Sequence, residues 1–250
     1  MKKSIIICEG STDYILLQYY MRKALAWQDV TDNSRQKMCV KNSGQKSRMF
    51  EKDGNELTIM ASGGCSRIEE ALEKVIQKDL LSPPDLSGVF QNVIVVTDRD
   101  EWNSDIQVLS KLCGQLNKKG ITSAQTMSCE KWLQFNGKIQ IGYDFSFRLL
   151  VLVIPFEETG AMESFLLKAV SDNDPYDKDI IKKCSDFVDA ADPDKRYLTK
   201  RRYVTKAKFD AYFSVRTAAE QFTQRQNILK NIPWEEYKEI NKAFQLFEDI

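Results

Sequence analysis

The sequence predicts an α/β fold, with a parallel sheet of about four strands flanked by helices and a helical C-terminal extension. Short apolar runs typical of buried strands alternate with stretches whose apolar residues recur at helical spacing. The last third of the chain carries helical patterning without strand-like runs. We therefore expect a core domain over residues 1–170 and an extension over residues 171–250.

The first predicted strand, Ile5–Cys8, ends in Glu9, and a helix of about residues 12–26 follows. Ser11 or Thr12 can cap this helix, which places Asp13 in its first turn, where backbone N–H groups favour negative charge. Glu9 then lies at the carboxyl end of a central strand, the edge at which open α/β sheets bind ligands. Since a buried strand gains nothing from a glutamate at its tip, we expect a positively charged partner there.

The segment from Gln28 to Glu56 is polar and lacks periodicity, which predicts a long connection. Its middle, Asn33–Phe50, contains several basic residues and no acid. A solvated loop is the interpretation that we favour. A nucleic-acid contact is the alternative, and Lys46 and Arg48 are its candidate residues.

The second predicted strand, Leu57–Met60, leads into a Gly63-Gly64 turn, and Ser66 is positioned to cap the helix that follows. Strand, turn and helix together form a backbone cradle that can approach a phosphate closely. Because Gly-Gly turns are common, this pattern alone does not define a phosphate site.

The third predicted strand, Val93–Val96, runs directly into Thr97–Glu101, and a helix over Ser104–Lys118 follows. In an extended chain, residues two apart point to the same side. Asp98 and Asp100 are therefore expected to present their carboxylates to one spot.

The rest of the chain begins with residues 121–147, which are ambiguous; a hairpin of residues 138–141 and 145–148 is one interpretation. Leu149–Ile154 is the last predicted core strand, and a helix opens at Gly160. Pro233 is expected to be the first helical residue of the final helix. The helices predicted for the C-terminal extension are Ile180–Ala190, Thr205–Ala219, Gln221–Asn231 and Pro233–Phe247.

The composition excludes several classes of function. Lys plus Arg and Asp plus Glu each number 36, so no global field draws the chain to nucleic acid or membrane. The longest aliphatic run, Leu149–Ile154, is too short to span a bilayer, and a cytoplasmic location is expected. The absence of histidine excludes Ser-His-Asp and Cys-His chemistry and His-ligated zinc. The 6 scattered cysteines are expected to be reduced structural thiols.

Carboxylates accumulate at the predicted carboxyl edge of the sheet, where Glu9, Asp13, Asp98 and Asp100 follow two strands that are expected to be neighbours. Like charges at contact distance repel by about 1 kcal/mol per pair even in water, so a fold that gathers them needs a cation. All of these ligands are hard oxygens, which favours Mg²⁺ or Mn²⁺ over zinc. Two such ions about 4 Å apart stabilise the attacking and leaving oxygens of a phosphodiester.

The residues that carry a family resemblance are Ile5–Asp13, Gly63-Gly64 and Thr97–Glu101. Together they resemble the TOPRIM domain, which topoisomerases, bacterial primases, small ribonucleases and OLD-family nucleases share. The resemblance implies a Rossmann-like TOPRIM core and Mg²⁺-dependent phosphoryl transfer. It also implies Glu9 in proton transfer or metal binding, and Asp98 and Asp100 as metal ligands.

The resemblance to OLD-type members extends this site. It implies that Asp13 is their additional acid and that Glu163 is a ligand of a second metal ion. Glu157 and Glu158 compete with Glu163 for that role, and a surface turn is the alternative for all of them.

The resemblance to OLD-type proteins also implies that a basic residue downstream of the carboxylates stabilises the transition state. Lys206 or Lys208 is the candidate. These lysines belong to the segment 195–208, which is rich in Lys and Arg and contains no acid. A solvated segment that contacts phosphate nonspecifically is the alternative. The candidates for nucleic-acid contact in this segment are Lys200, Arg201 and Arg202.

We therefore expect a nuclease that uses Mg²⁺ or Mn²⁺, as two ions, to hydrolyse phosphodiester bonds of DNA or RNA. The sequence lacks a GxxxxGK[ST] motif, so we expect a standalone TOPRIM protein. It would cleave alone or be regulated by a separately encoded ATPase in a phage-defence setting, and a homodimer is a further option. The alternative is a noncatalytic TOPRIM module for nucleic-acid binding or assembly, although a scaffold gains nothing from clustered carboxylates.

Overall fold

The computed structural model of the chain describes residues 1–37, 39–83, 85–218, 229 and 231–250. The structure is α/β, with a seven-stranded mixed sheet flanked by helices. The chain divides into two compact units, Met1–Val153 with Ile250 and Ile154–Asp249. This division falls earlier in the chain than the predicted boundary between residues 170 and 171.

The sheet has the strand order β2-β3-β4-β1-β5-β7-β6. Its central strand β1 pairs in parallel with both β4 and β5, as the apolar runs predicted. Antiparallel pairs β2–β3, β3–β4 and β6–β7 extend the sheet on both sides, so it is mixed and larger than the sheet of about four strands that was expected. The strands are β1 Lys3–Cys8, β2 Gln28–Asp29, β3 Ser47–Lys52, β4 Asn55–Ala61, β5 Asn92–Asp98, β6 Leu133–Lys138 and β7 Asp144–Ile154.

The helices of the first unit are α1 Ser11–Lys23, α2 Asn33–Lys37, α3 Ile68–Leu80 and α4 Ser104–Lys118. The bounds predicted for α4 are confirmed. The prediction that Ser66 caps α3 is wrong, because a 3₁₀ turn over Cys65–Arg67 comes first and Arg67 is the N-cap residue. Helix α1 begins one residue earlier than expected, after an N-cap at Gly10 rather than at Ser11 or Thr12.

The core of the first unit lies between the sheet and helices α3 and α4. Ile5 and Ile7 of β1 belong to this core, together with side chains of β5 and β7 such as Val93 and Val151. The alternate residue Ile6 is also fully buried, so β1 is buried on both faces. This burial explains why the central strands appear in the sequence as uninterrupted apolar runs.

The prediction of a solvated loop between Gln28 and Glu56 is wrong. This segment forms β2, α2 and β3, and β3 pairs along its length with β4. Phe50 and Met49 of β3 are buried, whereas the strand ends are polar. Because adjacent rather than alternate residues are buried, β3 lacks the alternation by which a strand is recognised.

The hairpin that was one interpretation of residues 121–147 exists, but with different strands. Strand β6 lies earlier than expected, and β7 merges the predicted hairpin strand with the predicted strand Leu149–Ile154. In the hairpin register, Leu133 pairs with Leu149 and Lys138 with Asp144.

The second unit contains α5 Met162–Asn173, α6 Pro175–Ala191, α7 Arg201–Arg216 and α8 Lys238–Phe244. The expected helical extension is therefore present, but the predicted helix Gln221–Asn231 falls largely outside the described residues. Pro233 does not start an α-helix, since a 3₁₀ turn follows it and α8 begins only at Lys238. Within the described part of the chain, none of the helices combines the length and apolar character that a membrane span requires.

Candidate metal centre

The candidate site lies at the carboxyl edge of the three central strands. The register pairs Cys8, the last residue of β1, with Ala61 of β4 and with Val96 of β5. Because these strands are parallel, the chain leaves all of them at the same edge. Glu9 and Asp98, which were predicted to meet, therefore leave neighbouring strands side by side.

The side chain of Glu9 contacts the end of β5. Its Oε2 accepts a hydrogen bond of 2.9 Å from the Thr97 hydroxyl and one of 3.3 Å from the Asp98 amide. Both donors are neutral, so these bonds orient the Glu9 carboxylate without supplying a positive charge. The expected convergence of Glu9 with the Asp98 segment is present.

The backbone of Glu9 is held from the other side by the loop that follows β4. Its carbonyl accepts hydrogen bonds from the amides of Gly63 at 3.2 Å and Gly64 at 3.0 Å, and from the Ser62 hydroxyl at 3.2 Å. Gly63 and Gly64 have φ angles of 92° and 124°, a region that favours glycine. The Gly-Gly turn therefore fixes the position of Glu9, a role that the sequence did not disclose.

A cavity of about 300 Å³ opens at this edge. Asp98 and Asp100 both line it, as do residues from the starts of α3 and α4 such as Glu69 and Ser104. The prediction that Asp98 and Asp100 serve one spot agrees with this shared cavity. Lys111 lies on the same wall and pairs with Glu69, with Nζ and Oε1 4.0 Å apart.

The thiol of Cys65 lies within the field of the candidate carboxylates. Partial burial raises its pKa, and the negative charges of Glu9, Asp100 and Asp98 raise this pKa further. Without a bound metal ion, the thiol is therefore protonated at neutral pH. In the sequence, only the position of Cys65 directly after the Gly-Gly turn could have indicated that it lies near these carboxylates.

Asp13 has a structural task that accounts for part of its chemistry. It is 4% exposed in the first turn of α1, and its Oδ2 accepts a 2.8 Å hydrogen bond from the Gly10 amide. This hydrogen bond satisfies a backbone donor at the helix start. The role of Asp13 as a metal ligand stays a prediction.

The other acidic candidates belong to the second unit. Glu163 lies in the first turn of α5, near the predicted start of a helix, and is 5% exposed. Its competitor Glu158 is exposed and forms an ion pair with Lys168, with Oε1 and Nζ 3.4 Å apart. A role in holding a second metal ion stays a prediction for Glu163.

The basic candidates of the second unit lie on α7, which starts earlier than expected. Lys206 and Lys208 were predicted to precede a helix, but α7 runs from Arg201 and contains both of them. The Lys208 ammonium pairs with Asp189 of α6 at 2.7 Å, whereas Lys206 is exposed. The ion pair gives Lys208 a structural use in joining α6 to α7.

The remaining candidates for nucleic-acid contact are exposed. Arg48 forms an ion pair with Asp29, with Nε and Oδ1 2.7 Å apart, so it links β3 to β2. Lys46 lies just before β3. The candidates at the start of α7 are Lys200, Arg201 and Arg202.

The donors at the sheet edge fit a hard divalent cation. Glu9, Asp98 and Asp100 offer carboxylate oxygens, and the neighbouring thiol is neutral. Mg²⁺ keeps several waters and is commonly bound through one or two carboxylates and substrate phosphates, so a closed cage of side chains is not required. Across residues 1–37, 39–83, 85–218, 229 and 231–250, no three His, Cys, Asp or Glu side chains form a group already arranged to hold a metal ion.

The fold and this edge define an α/β protein with an acidic site at the carboxyl ends of its parallel strands. The family model described as "Protein of unknown function (DUF3226)" matches residues 3–247, and the chain belongs to this family. No curated protein matches the chain.

Two solved structures are similar to the chain to different degrees. The crystal structure of hypothetical protein PH0156 from Pyrococcus horikoshii OT3 has 17% sequence identity and a TM-score of 0.51, and the match covers 100% of this chain and 99% of that one. At this identity the likeness concerns the fold alone. A putative glyoxalase family protein from Bacillus anthracis, with 8% identity, 60% and 94% coverage and a TM-score of 0.20, is too dissimilar to carry an argument.

Proposed function

We propose that the protein is a TOPRIM-type nuclease that hydrolyses phosphodiester bonds of DNA or RNA with Mg²⁺ or Mn²⁺. The observation that carries this proposal is the contact between the Glu9 carboxylate and the Thr97-Asp98 end of β5. It brings Glu9, which directly follows β1, next to Asp98, the last residue of β5. A fold that gathers these charges requires a cation, and a phosphate is the ligand that such a cation holds.

Each residue has a proposed task. Asp98 and Asp100 bind the first ion from the cavity wall, and Glu9 either binds it or transfers a proton. Thr97 keeps the Glu9 carboxylate oriented. When bound, the ion supplies the positive charge that stabilises the phosphate oxygens during hydrolysis. A second ion, held by Glu163 with or without Asp13, belongs to the proposal through the TOPRIM resemblance alone.

The starts of α3 and α4 support a phosphate at this place. Ile68 and Glu69 of α3 and Ser104 of α4 line the same cavity as Asp98 and Asp100. Helix N-termini present unpaired N–H groups and the positive end of the helix dipole, which attract anions. A phosphate drawn there lies beside the carboxylates that hold its ion.

The partners in the proposal are assigned by chemistry and resemblance. DNA or RNA is the substrate, and exposed basic side chains supply the local attraction that a net charge of zero does not. Lys206 is the better candidate for transition-state stabilisation, since Lys208 is already paired. A separately encoded ATPase, a phage-defence setting and a homodimer rest on the resemblance.

The test is a cleavage assay on supercoiled plasmid and on labelled RNA, with Mg²⁺, Mn²⁺ or EDTA. Glu9→Gln and Asp98→Asn should each lower the rate by about 100-fold or more, the scale seen when one catalytic electrostatic group is removed. Asp144→Asn is the matched control, because Asp144 is an exposed hairpin carboxylate with a long ion pair to Lys138. It should leave the rate unchanged.

Metal binding is measured separately by thermal unfolding. A ligand present at 100 times its dissociation constant stabilises the folded state by about 2.7 kcal/mol. Mn²⁺ should therefore raise the Tm of the wild type and of Asp144→Asn, but not that of Asp98→Asn. Cleavage that survives both Glu9→Gln and Asp98→Asn would overturn the proposal, and salt-sensitive binding without cleavage would favour the noncatalytic module.

A further inference from the structure

Trp102 displays its ring to solvent beside the candidate metal centre. Its side chain belongs to the loop between β5 and α4, two residues after Asp100, and the residue is 73% exposed. Tryptophan is highly buried on average, so an exposed ring at a candidate site indicates a binding surface. Ile106, in the first turn of α4, is also 69% exposed.

The loop that carries Trp102 is fixed even though the ring is not covered. The Arg99 guanidinium donates a 3.4 Å hydrogen bond to the Trp102 carbonyl. Arg99 is itself 5% exposed and pairs with Asp105 of α4 at 3.6 Å. On the other side, the Glu101 amide donates to the Ser104 hydroxyl at 2.9 Å. The ring is therefore held outward by an ordered backbone.

The distance along the chain places Trp102 within one nucleotide of the carboxylates. Two residues span at most about 7 Å, so the Cα atoms of Trp102 and Asp100 are no farther apart than that. A strand whose phosphate lies at Asp98 and Asp100 then has an adjoining base within reach of the ring. Trp102 lies on the same short loop as Asp100 and Glu101, both of which line the cavity.

We propose that Trp102 is a stacking platform for an unpaired base, and that the substrate is single-stranded nucleic acid. This inference rests on the proposed nuclease function, because that function is what brings a phosphate to the site. Aromatic side chains bind single strands by stacking on base faces, whereas in a duplex those faces are covered by neighbouring base pairs. A protein could also cover an exposed ring, but the position of Trp102 only two residues after Asp100 favours a nucleotide.

The experiment measures binding of fluorescein-labelled oligo(dT) and oligo(U) of about 20 nucleotides, and of a duplex of the same length, by fluorescence anisotropy. Ca²⁺ replaces Mg²⁺, so that binding is read without relying on hydrolysis. Trp102→Ala should weaken single-strand binding by about 5- to 100-fold, and Trp102→Phe should retain most of it. Tyr143→Ala is the control, since Tyr143 is a 55% exposed aromatic residue of the β6–β7 hairpin. It should bind as the wild type does.

The outcomes separate this inference from the nuclease proposal. Equal single-strand affinity of the wild type and Trp102→Ala, or tighter binding of the duplex than of either single strand, overturns the role of Trp102. A binding loss in Trp102→Ala with no cleavage in Mg²⁺ or Mn²⁺ supports the stacking site and rejects the nuclease. Cleavage by Trp102→Ala with an unchanged KM supports the nuclease and rejects the stacking site.

Discussion

The carboxylate of Glu9 and the hydroxyl of Thr97 form a hydrogen bond of 2.9 Å that joins the ends of β1 and β5. These residues are 88 positions apart in the chain, so the bond exists only when the two strands pair in the parallel register that aligns Cys8 with Val96. The orientation of Glu9 is therefore a property of the sheet. Any change that removes this bond should act on the site while leaving the core intact.

Thr97→Val tests this dependence, because valine keeps the shape of the 2% exposed threonine and removes its hydroxyl. Groups that orient a metal ligand typically contribute 10- to 100-fold to metal affinity. We expect Mn²⁺ affinity to fall by about tenfold, measured by isothermal titration calorimetry, with an unchanged far-UV circular dichroism spectrum. Thr58→Val is the matched control and should keep wild-type affinity, because Thr58 is a 3% exposed threonine of β4, on the other side of β1. Equal affinities for Thr97→Val and the wild type would show that the Asp98 amide and the backbone contacts of Glu9 hold this residue without the Thr97 hydroxyl.

Gly63→Ala should destabilise the loop that holds the Glu9 carbonyl. Gly63 has φ +92°, and an added Cβ would lie 2.7 Å from the Gln45 side chain. The strained backbone alone costs about 1–2 kcal/mol, and the contact adds to it. Gly54→Ala is the control for the backbone cost, because Gly54 has φ +76° with nothing within 4 Å of an added Cβ. Chemical denaturation should show a larger loss for Gly63→Ala; equal losses would mean that Gln45 moves aside freely.

Asp79 should make stability depend on pH in the direction opposite to most carboxylates. It is fully buried, and only its Oδ1 has a hydrogen-bond partner among the described residues, the Phe90 amide at 3.1 Å. Burial raises the pKa of this carboxyl well above its usual value. Above the unfolded-state pKa of about 3.9, the unfolded chain releases this proton while the folded chain keeps it, so folding loses about 1.4 kcal/mol per pH unit until the folded pKa is reached.

Asp79→Asn removes that titration, so the free energy of unfolding of this variant should increase relative to that of the wild type as the pH rises above about 4. Asp85→Asn is the opposite control. The pKa of Asp85 is lowered, chiefly because its carboxylate accepts a hydrogen bond from the Ser87 amide, so Asp85 stabilises the fold above its unfolded pKa and loses that effect in acid. A difference between Asp79→Asn and the wild type that stays constant with pH would exclude Asp79 as the titrating group.

The central part of the fold was predictable because its strands are buried on both faces. The uninterrupted apolar runs Ile5–Cys8 and Val93–Val96 predict buried strands. Because helices connect the strands along the chain, the strands are expected to pair in parallel. Strand β3, which lies between β2 and β4, was missed because it buries two adjacent residues, Met49 and Phe50, and so lacks the alternation of buried and exposed residues.

The candidate site was predictable in its acids but not in the groups that position them. Glu9, Asp98 and Asp100 could be predicted because an acidic residue that follows an apolar run is easily recognised in a sequence. Thr97 and the Gly63 amide are hydrogen-bond donors whose partner is far away in the sequence. Which distant residues meet depends on how the strands align with one another, and this alignment cannot be read from a single sequence.

The ion pair between Asp177 and Arg216 should be the main polar stabiliser of the second unit, because it joins the start of α6 to the end of α7. Asp177 is 6% exposed, and Arg216 also donates a 2.7 Å hydrogen bond to the Tyr212 hydroxyl. Breaking a buried pair by removing one charge typically costs about 3–5 kcal/mol. We expect Asp177→Asn to lower the free energy of unfolding, measured by chemical denaturation, by about 2–4 kcal/mol. This is somewhat less than the typical cost, because Arg216 keeps a hydrogen-bond partner and is partly exposed.

The control is Asp186→Asn, which removes an exposed pair with Lys182 on α6 and should cost less than about 0.5 kcal/mol. Equal losses for the two variants would show that the Asp177–Arg216 pair adds no more to stability than an exposed pair does.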